Sequence, residues 1–283
     1  MPDTVDLVVQ APSILREDLA ALVALTHASD VEPLDRATNE AFRLHDAGAR
    51  EGVAEACAAA GYDHAFVPRE RALDRVRVVA MDMDSTLITI ECVDEIADLQ
   101  GIKPEVAAIT GSAMRGEIDF AESLRRRVAL LEGLPVAALE QVYSERLQLS
   151  PGAERMLAGF RAVGAKTLLV SGGFTFFTDR LRERLDLDLT ISNTLETAGG
   201  KLTGRISGRI VDAAAKAAAL RRVAETSRDT GGLAVAIGDG ANDLPLFAEA
   251  DVAIAYRAKP VVRAKATHAI DYCGLDAILN LFA

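Results

Sequence analysis

No stretch of the chain approaches the roughly 20 consecutive apolar residues that a membrane-crossing helix requires, so a helical membrane protein is not expected. Cysteine is scarce: Cys57, Cys92 and Cys273 are odd in number, far apart, and lack both CxxC spacing and a histidine-rich context. A disulfide framework and a zinc site are therefore disfavoured, and all three read as reduced, mostly buried thiols. Basic residues are outnumbered, 31 Lys and Arg against 42 Asp and Glu, for a formal net charge of −11. An acidic surface gains no counterion-release energy from a polyanion, so neither nucleic acid nor an anionic membrane is expected as the main partner. A small substrate in a locally basic pocket is compatible with this balance. The opening residues MPDTVD are acidic where a secretory signal would be basic, which points to the cytoplasm.

What is present is apolar material, half of the 283 residues. That suits a sizeable core in one large or two modest domains and argues against a disordered chain. Residues 1–70 read as a module of their own, with strands at 6–10, 31–36, 41–45 and 64–68 and helices at 18–26 and 50–60, the second stopped by Gly61. The order βαββαβ is that of a ferredoxin-like sandwich, the pattern of ACT-type amino-acid-sensing modules. No ligand motif stands out in it, so an effector site and a plain dimerisation or solubility appendage are both open. The charged run at 69–75 is the best linker candidate.

From Val76 to the end, strands and helices alternate: strands at 76–81, 166–170, 233–237 and 252–255, helices at 153–163, 176–185 and 243–250, and a short C-terminal helix. Such alternation implies an α/β fold with a doubly wound parallel sheet, whose ligands gather at the carboxyl ends of the strands. Two insertions interrupt it. Residues 91–150, rich in Leu, Ala, Arg and Glu at helical spacing, read as a helical cap, and 190–211, with a Gly199-Gly200 turn, as a β-hairpin.

Asp82-Met83-Asp84-Ser85-Thr86 follows the first core strand directly. Two carboxylates leaving a strand end suit metal-assisted phosphoryl transfer, in which one attacks phosphorus and binds the cation while the other handles protons. By itself the pair is equally a solvated turn. It gains weight from Ser171-Gly172-Gly173, Lys216 and Gly238-Asp239-Gly240-Ala241-Asn242-Asp243, which supply hydroxyl, ammonium and further acids in a consistent order.

In these four motifs, of the form DxDxT, S/T, K and GDxxxD, the chain resembles the haloacid dehalogenase superfamily of aspartate-nucleophile phosphohydrolases. DMDSTLI, Glu91, SLRRRVALL, SGGFT and GDGANDLPL resemble most closely the phosphoserine phosphatase branch. The resemblance implies a Rossmann-like core in which Asp82 is the nucleophile and Asp84 the general acid and then base, with a raised pKa. It implies a Mg2+ site from Asp82, the main-chain carbonyl of Asp84 and Asp239, with Asp243 as a neighbour or alternate ligand. Ser171 and Gly172 would cradle the phosphoryl oxygens, Lys216 would offset charge, and Asn242 would sit beside them.

For substrate, the resemblance implies O-phospho-L-serine, with Glu91 facing its ammonium, Arg127 its carboxylate, and Met114 and Phe120 closing over it. Read as residues alone, Asp243 is also a helix N-cap, Lys216 a solvated lysine, Arg127 a surface arginine, and Met114 and Phe120 ordinary core. Three alternatives remain open at this level: transfer to an alcohol such as homoserine, hydrolysis of another small phosphomonoester, and a regulatory binding protein on an inactive scaffold. The last predicts loss of a reacting residue, and none is missing. A homodimer is expected only by analogy with other ACT-bearing proteins.

Overall fold

The fold is that of a computed structural model, which describes residues 5–228 and 231–283, with side chains in the helix at 213–228 only to residue 225. The first module contains β1 (Val5–Ala11), α1 (Arg16–Thr26), β2 (Asp30–Leu34), β3 (Glu40–His45), α2 (Val53–Ala60) and β4 (Asp63–Pro68). Its strands form an antiparallel sheet in the order β2-β3-β1-β4, the ferredoxin-like arrangement expected from the pattern. α2 stops where Gly61 takes φ 74°, a left-handed conformation that glycine adopts without penalty. Strand β1 is buried along nearly its whole length because both faces are covered. Leu7 and Val9 pack under the module's helices, while Val8 faces the larger core beside Ala65 and Val67.

The second sheet holds seven strands in the order β11-β10-β9-β5-β6-β7-β8. These are β5 (Val76–Met81), β6 (Lys166–Phe174), β7 (Leu189–Ala198), β8 (Lys201–Ser207), β9 (Leu233–Gly238), β10 (Val252–Tyr256) and β11 (His268–Ile270), all pairing parallel except β7 with β8. The β7–β8 pair is the expected hairpin, turning at Gly199-Gly200. Between β5 and β6 lie the cap helices α3 (Cys92–Leu99), α4 (Lys103–Met114), α5 (Phe120–Ala129) and α6 (Ala137–Glu145), then α7 (Ala153–Ala162). The remaining helices are α8 (Thr175–Leu185), α9 (Ala213–Arg228), α10 (Leu244–Phe247) and α11 (Pro260–Arg263).

Local differences from the pattern have physical causes. The segment expected as one helix over 243–250 is a single 3-10 turn at 241–243 leading into the short α10, with Pro245 in its first turn. The C-terminal helix is 3-10, residues 275–281, wedged between α7 and the module. The charged run at 69–75 is not a free linker. Arg69 pairs with Asp6 and Asp46, both at 2.9 Å, and residues 73–75 form a 3-10 turn. The module is held to the core by polar contacts that sequence separation hides. The Asp63 carboxylate accepts from the backbone N–H groups of Asp271, Tyr272 and Cys273, and Arg43 donates to the Phe282 carbonyl at 2.6 Å.

The cap leaves and re-enters the core at one point, where Ile88 bridges Leu149 antiparallel and Ser150 Oγ donates to the Thr86 carbonyl at 2.6 Å. Its far end rests on the hairpin. Leu202 N–H donates to the Leu134 carbonyl at 2.8 Å, and Gly133 N–H to the Leu202 carbonyl at 2.9 Å.

Candidate active site

Strands β9, β5 and β6 are adjacent, so the residues at their carboxyl ends meet: Asp239, Asp82 and Ser171. Asp82 is 5% exposed. Its Oδ1 accepts from the Met83 N–H at 2.7 Å, and its Oδ2 from Lys216 Nζ at 2.6 Å and Asn242 Nδ2 at 3.1 Å. Lys216, on α9, is not the solvated lysine its alanine-rich surroundings allow. It is 1% exposed and also donates to Asp243 Oδ1 at 3.0 Å. Burial alone would lower its pKa, but Asp82 and Asp243 outweigh that and raise it, so the ammonium stays charged.

Asp82, Asp239 and Asp243 form a cluster whose nearest carboxylate oxygens lie within 4.8 Å of one another. One ammonium faces three carboxylates. Burial first, then the Asp82 charge, pushes Asp243 up to about 7 and also raises Asp239. A divalent cation would relieve that crowding, and an all-oxygen donor set suits a hard ion. Asp243 does not cap α10 with its side chain; its Oδ2 accepts from the Gly240 N–H at 3.2 Å, as third residue of the preceding turn, while Oδ1 holds Lys216. The Asp84 side chain stands outside this cluster.

Asp84 is half-buried, and its Oδ1 accepts from the Cys92 N–H at the start of α3 at 2.9 Å. Withdrawal from water, then the charges of Glu91 and Asp82, push it up to about 8, which favours its protonated form. Glu91 lies beside it, accepting from Ser85 Oγ at 2.8 Å. Ser85 takes φ 54°, an uncommon conformation for a residue with a side chain, where the chain turns out of β5 toward the cap.

Strand β6 runs on through Ser171-Gly172-Gly173. Ser171 is fully buried, its Oγ accepting from the Gly173 N–H at 2.8 Å. The glycines are needed for space: a Cβ on Gly173 would lie 2.7 Å from Met83 Cε and 2.8 Å from Asp84 Oδ2, and one on Gly172 would lie 2.9 Å from Phe120 Cζ. Phe120 thus meets the glycine loop from the cap. Met114 does not join the site; it is 70% exposed at the end of α4, neither core nor placed against the other residues.

Arg127 is half-buried, whereas its neighbours Arg125 and Arg126 are exposed and pair with Glu122 on the helix surface. Its guanidinium forms no ion pair among the described residues. Burial lowers its pKa against the opposing pull of Asp94, Glu91 and Asp84, which places those three carboxylates as its charged surroundings.

The profile of the haloacid dehalogenase-like hydrolases matches residues 79–248, and a family described only as a domain of unknown function matches residues 7–53. The chain belongs to the haloacid dehalogenase-like hydrolase family. It is similar to a phosphoserine phosphatase of Polaromonas sp., 54% identical over 214 residues, which make up 74% of this chain and 91% of that one. Among solved structures, it resembles a probable phosphoserine phosphatase of Vibrio cholerae with TM-score 0.81 and 37% identity, over 99% of this chain and 86% of that one. A substrate-bound phosphoserine phosphatase complex aligns with TM-score 0.67 and 36% identity, over 74% of this chain and 99% of that one.

Within this haloacid dehalogenase-like site, two residues went unnoticed in the sequence. Thr86 Oγ1 donates to Asp239 Oδ1 at 3.1 Å, orienting an acid of the cluster. Asn193, on β7 and 1% exposed, donates from Nδ2 to the Gly172 carbonyl at 2.8 Å and accepts on Oδ1 from the Val211 N–H at 2.8 Å. It ties the glycine loop to the segment that launches α9 and Lys216. Thr86 was within reach, as the last residue of the DxDxT motif; a lone asparagine in an alternating strand carries no such signal.

Proposed function

We propose that the chain is a magnesium-dependent phosphatase that hydrolyses O-phospho-L-serine to L-serine and phosphate, the last step of serine formation. One observation carries the reaction: Asp82, a strand-end carboxylate held by Lys216 and the Met83 amide, has a second carboxyl, Asp84, two residues away, where withdrawal from water favours the protonated form. An Asp82 oxygen attacks phosphorus, the bond from phosphorus to the serine oxygen breaks, and Asp84 gives that oxygen its proton. Asp84, now a base, takes a proton from water as the water oxygen attacks the phosphorylated Asp82, which releases phosphate and restores the carboxylate. Ser171 and the amides at Gly172 and after Asp82 donate to the phosphoryl oxygens, and Lys216 offsets their charge.

Asp82, Asp239 and Asp243, with the Asp84 carbonyl, would hold Mg2+, which when bound supplies charge neutralisation for the phosphoryl group. Glu91 receives the substrate ammonium and Arg127 its carboxylate. An arginine withdrawn from water without an ion-pair partner suits a ligand carboxylate, which it can bind through two parallel hydrogen bonds. Phe120 covers the glycine loop, and Asn242 steadies Asp82. The names of the relatives support the choice of phosphoserine over other esters.

The test is phosphate release from L-phosphoserine with and without Mg2+, in the wild type and Asp82→Asn, beside phosphothreonine, a sugar phosphate, and homoserine as acceptor. Magnesium-dependent release that vanishes in Asp82→Asn is the expected result. Serine appearing without free phosphate, or activity confined to another ester, would overturn the reading.

A further inference from the structure

The seam between the N-terminal module and the core opens into a cleft of about 450 Å³, on the β11 side of the large sheet and two strands away from β9, which carries Asp239. The module contributes Arg50, His64 and Phe66, and the core contributes Arg263 and His268. Arg50 lies over the Phe66 ring, 4.6 Å from its centroid, and forms no ion pair among the described residues. Arg263 is half-exposed and shares its charge with Asp271 at 2.9 Å.

His268 gives the cleft its direction. It is 8% exposed, and its Nε2 lies 2.6 Å from Arg71 Nη1. A guanidinium only donates, so Nε2 is the acceptor and the neutral ring carries its proton on Nδ1. That Nδ1–H has no partner among the described residues, and neither does the half-buried His64 ring. His268 lines the cleft, so this donor is open to an acceptor that binds there. The Arg50 guanidinium, the Arg263 guanidinium shared with Asp271, and the unpaired imidazole N–H make this a patch of donors in a chain of net charge −11.

We infer that this cleft is a second, non-catalytic binding site for a small anion, whose carboxylate or phosphate oxygens accept from His268 Nδ1–H, Arg50 and Arg263. Because the donors come from both sides of the seam, the ligand clasps the module to the core. Phosphate and carboxylate are recognised by the same donors, in paired geometry for the arginines.

The four histidines, His27, His45, His64 and His268, all lie outside the catalytic cluster, so none of them ligates an anion bound there, and His27 and His45 serve as controls. The full chain, free of metal, is titrated separately with inorganic phosphate and with malonate while imidazole proton and nitrogen shifts are recorded. Saturable movement of His64 and His268, with His27 and His45 still, is expected, and whichever anion binds more tightly identifies the ligand as a phosphate or a carboxylate. Arg50→Ala and Arg263→Ala should each weaken binding about tenfold while phosphoserine turnover stays unchanged. The inference is overturned by an absence of saturable shifts, by equal movement of all four rings, or by a dissociation constant that neither substitution alters.

Discussion

Lys216 is the residue on which the site's charge balance turns, since its ammonium is the only cation bonded to both Asp82 and Asp243 among the described residues. Lys216→Met leaves two buried carboxylates facing each other, and breaking such a pair costs about 3–5 kcal/mol. Turnover should fall by roughly 10²–10³, with a lower melting temperature that Mg2+ partly restores, as read by phosphate release and thermal melts with and without the ion. Near-normal turnover would remove Lys216 from the chemistry. Arg127 tests selectivity rather than reaction. Losing a charged hydrogen-bonding partner for the substrate carboxylate should raise KM for phosphoserine roughly 10- to 100-fold. A simple aryl phosphate should be hydrolysed as before, and equal losses on both would instead indicate damage to α5. Gly173 contributes no reacting atom, yet Gly173→Ala would press a methyl group to 2.8 Å from Asp84 Oδ2. The displaced acid should cost most of the activity, and a kinetic comparison at matched folded fraction measures it.

At the scale of elements, the site depends on the relative placement of β5, β6, β9 and α9, and Asn193 is the clamp between two of them. Asn193→Ala leaves the buried Val211 N–H without its partner, at about 1–3 kcal/mol. A drop of several degrees in melting temperature with kcat lowered about tenfold and KM little changed is the expected outcome of loosening a pre-set geometry. A fall in stability with intact kcat would confine Asn193 to a structural role.

This also marks how far the sequence could be read. Strands β5, β9 and β10 are nearly continuous apolar runs because a central parallel strand is buried on both faces, so they, and the acids that follow β5 and β9, were legible. Lys216 and Arg127 were legible only through the order of motifs around them. Periodicity reports a helix face, not the carboxylates that another segment brings to it. The extent of β6 was missed because Ser-Gly-Gly reads as a turn, whereas here the strand continues through it. Met114 was named only through the resemblance, and here it is 70% exposed at the end of α4. The docking of the module was invisible, since Asp63 and the amides it caps are over 200 residues apart in the chain.

For the molecule as a whole, that docking makes stability depend on acid. Burial first, and then the neighbouring Arg71, hold the His268 imidazole down to about 3. The unfolded ring titrates near its ordinary value of about 6.5, so acidification protonates the unfolded chain first, and stability is lost as pH falls from about 6.5 toward 3, by about 2 kcal/mol at about pH 5. Asp84 and Asp243, whose values are raised, act in the opposite sense: their protonated forms are favoured by folding, and that contribution is lost as pH rises through about 8 and 7. The His268 contribution is therefore isolated as a difference. Chemical denaturation of His268→Gln beside the wild type across about pH 5–7 should show a flatter acid limb in the variant, and parallel curves would contradict the assignment.

The cap, finally, leaves and returns side by side at the Ile88–Leu149 bridge, so it is inserted into the chain of the core as a closed loop. Because Asp82, Lys216, Asp239 and Asp243 all lie outside that loop while Glu91 and Arg127 lie within it, the residues proposed for the chemistry and those proposed for substrate choice occupy separate stretches of coding sequence. Such a division lets an ancestor trade one cassette of helices for another and acquire a new metabolite without relearning how to break a phosphate ester.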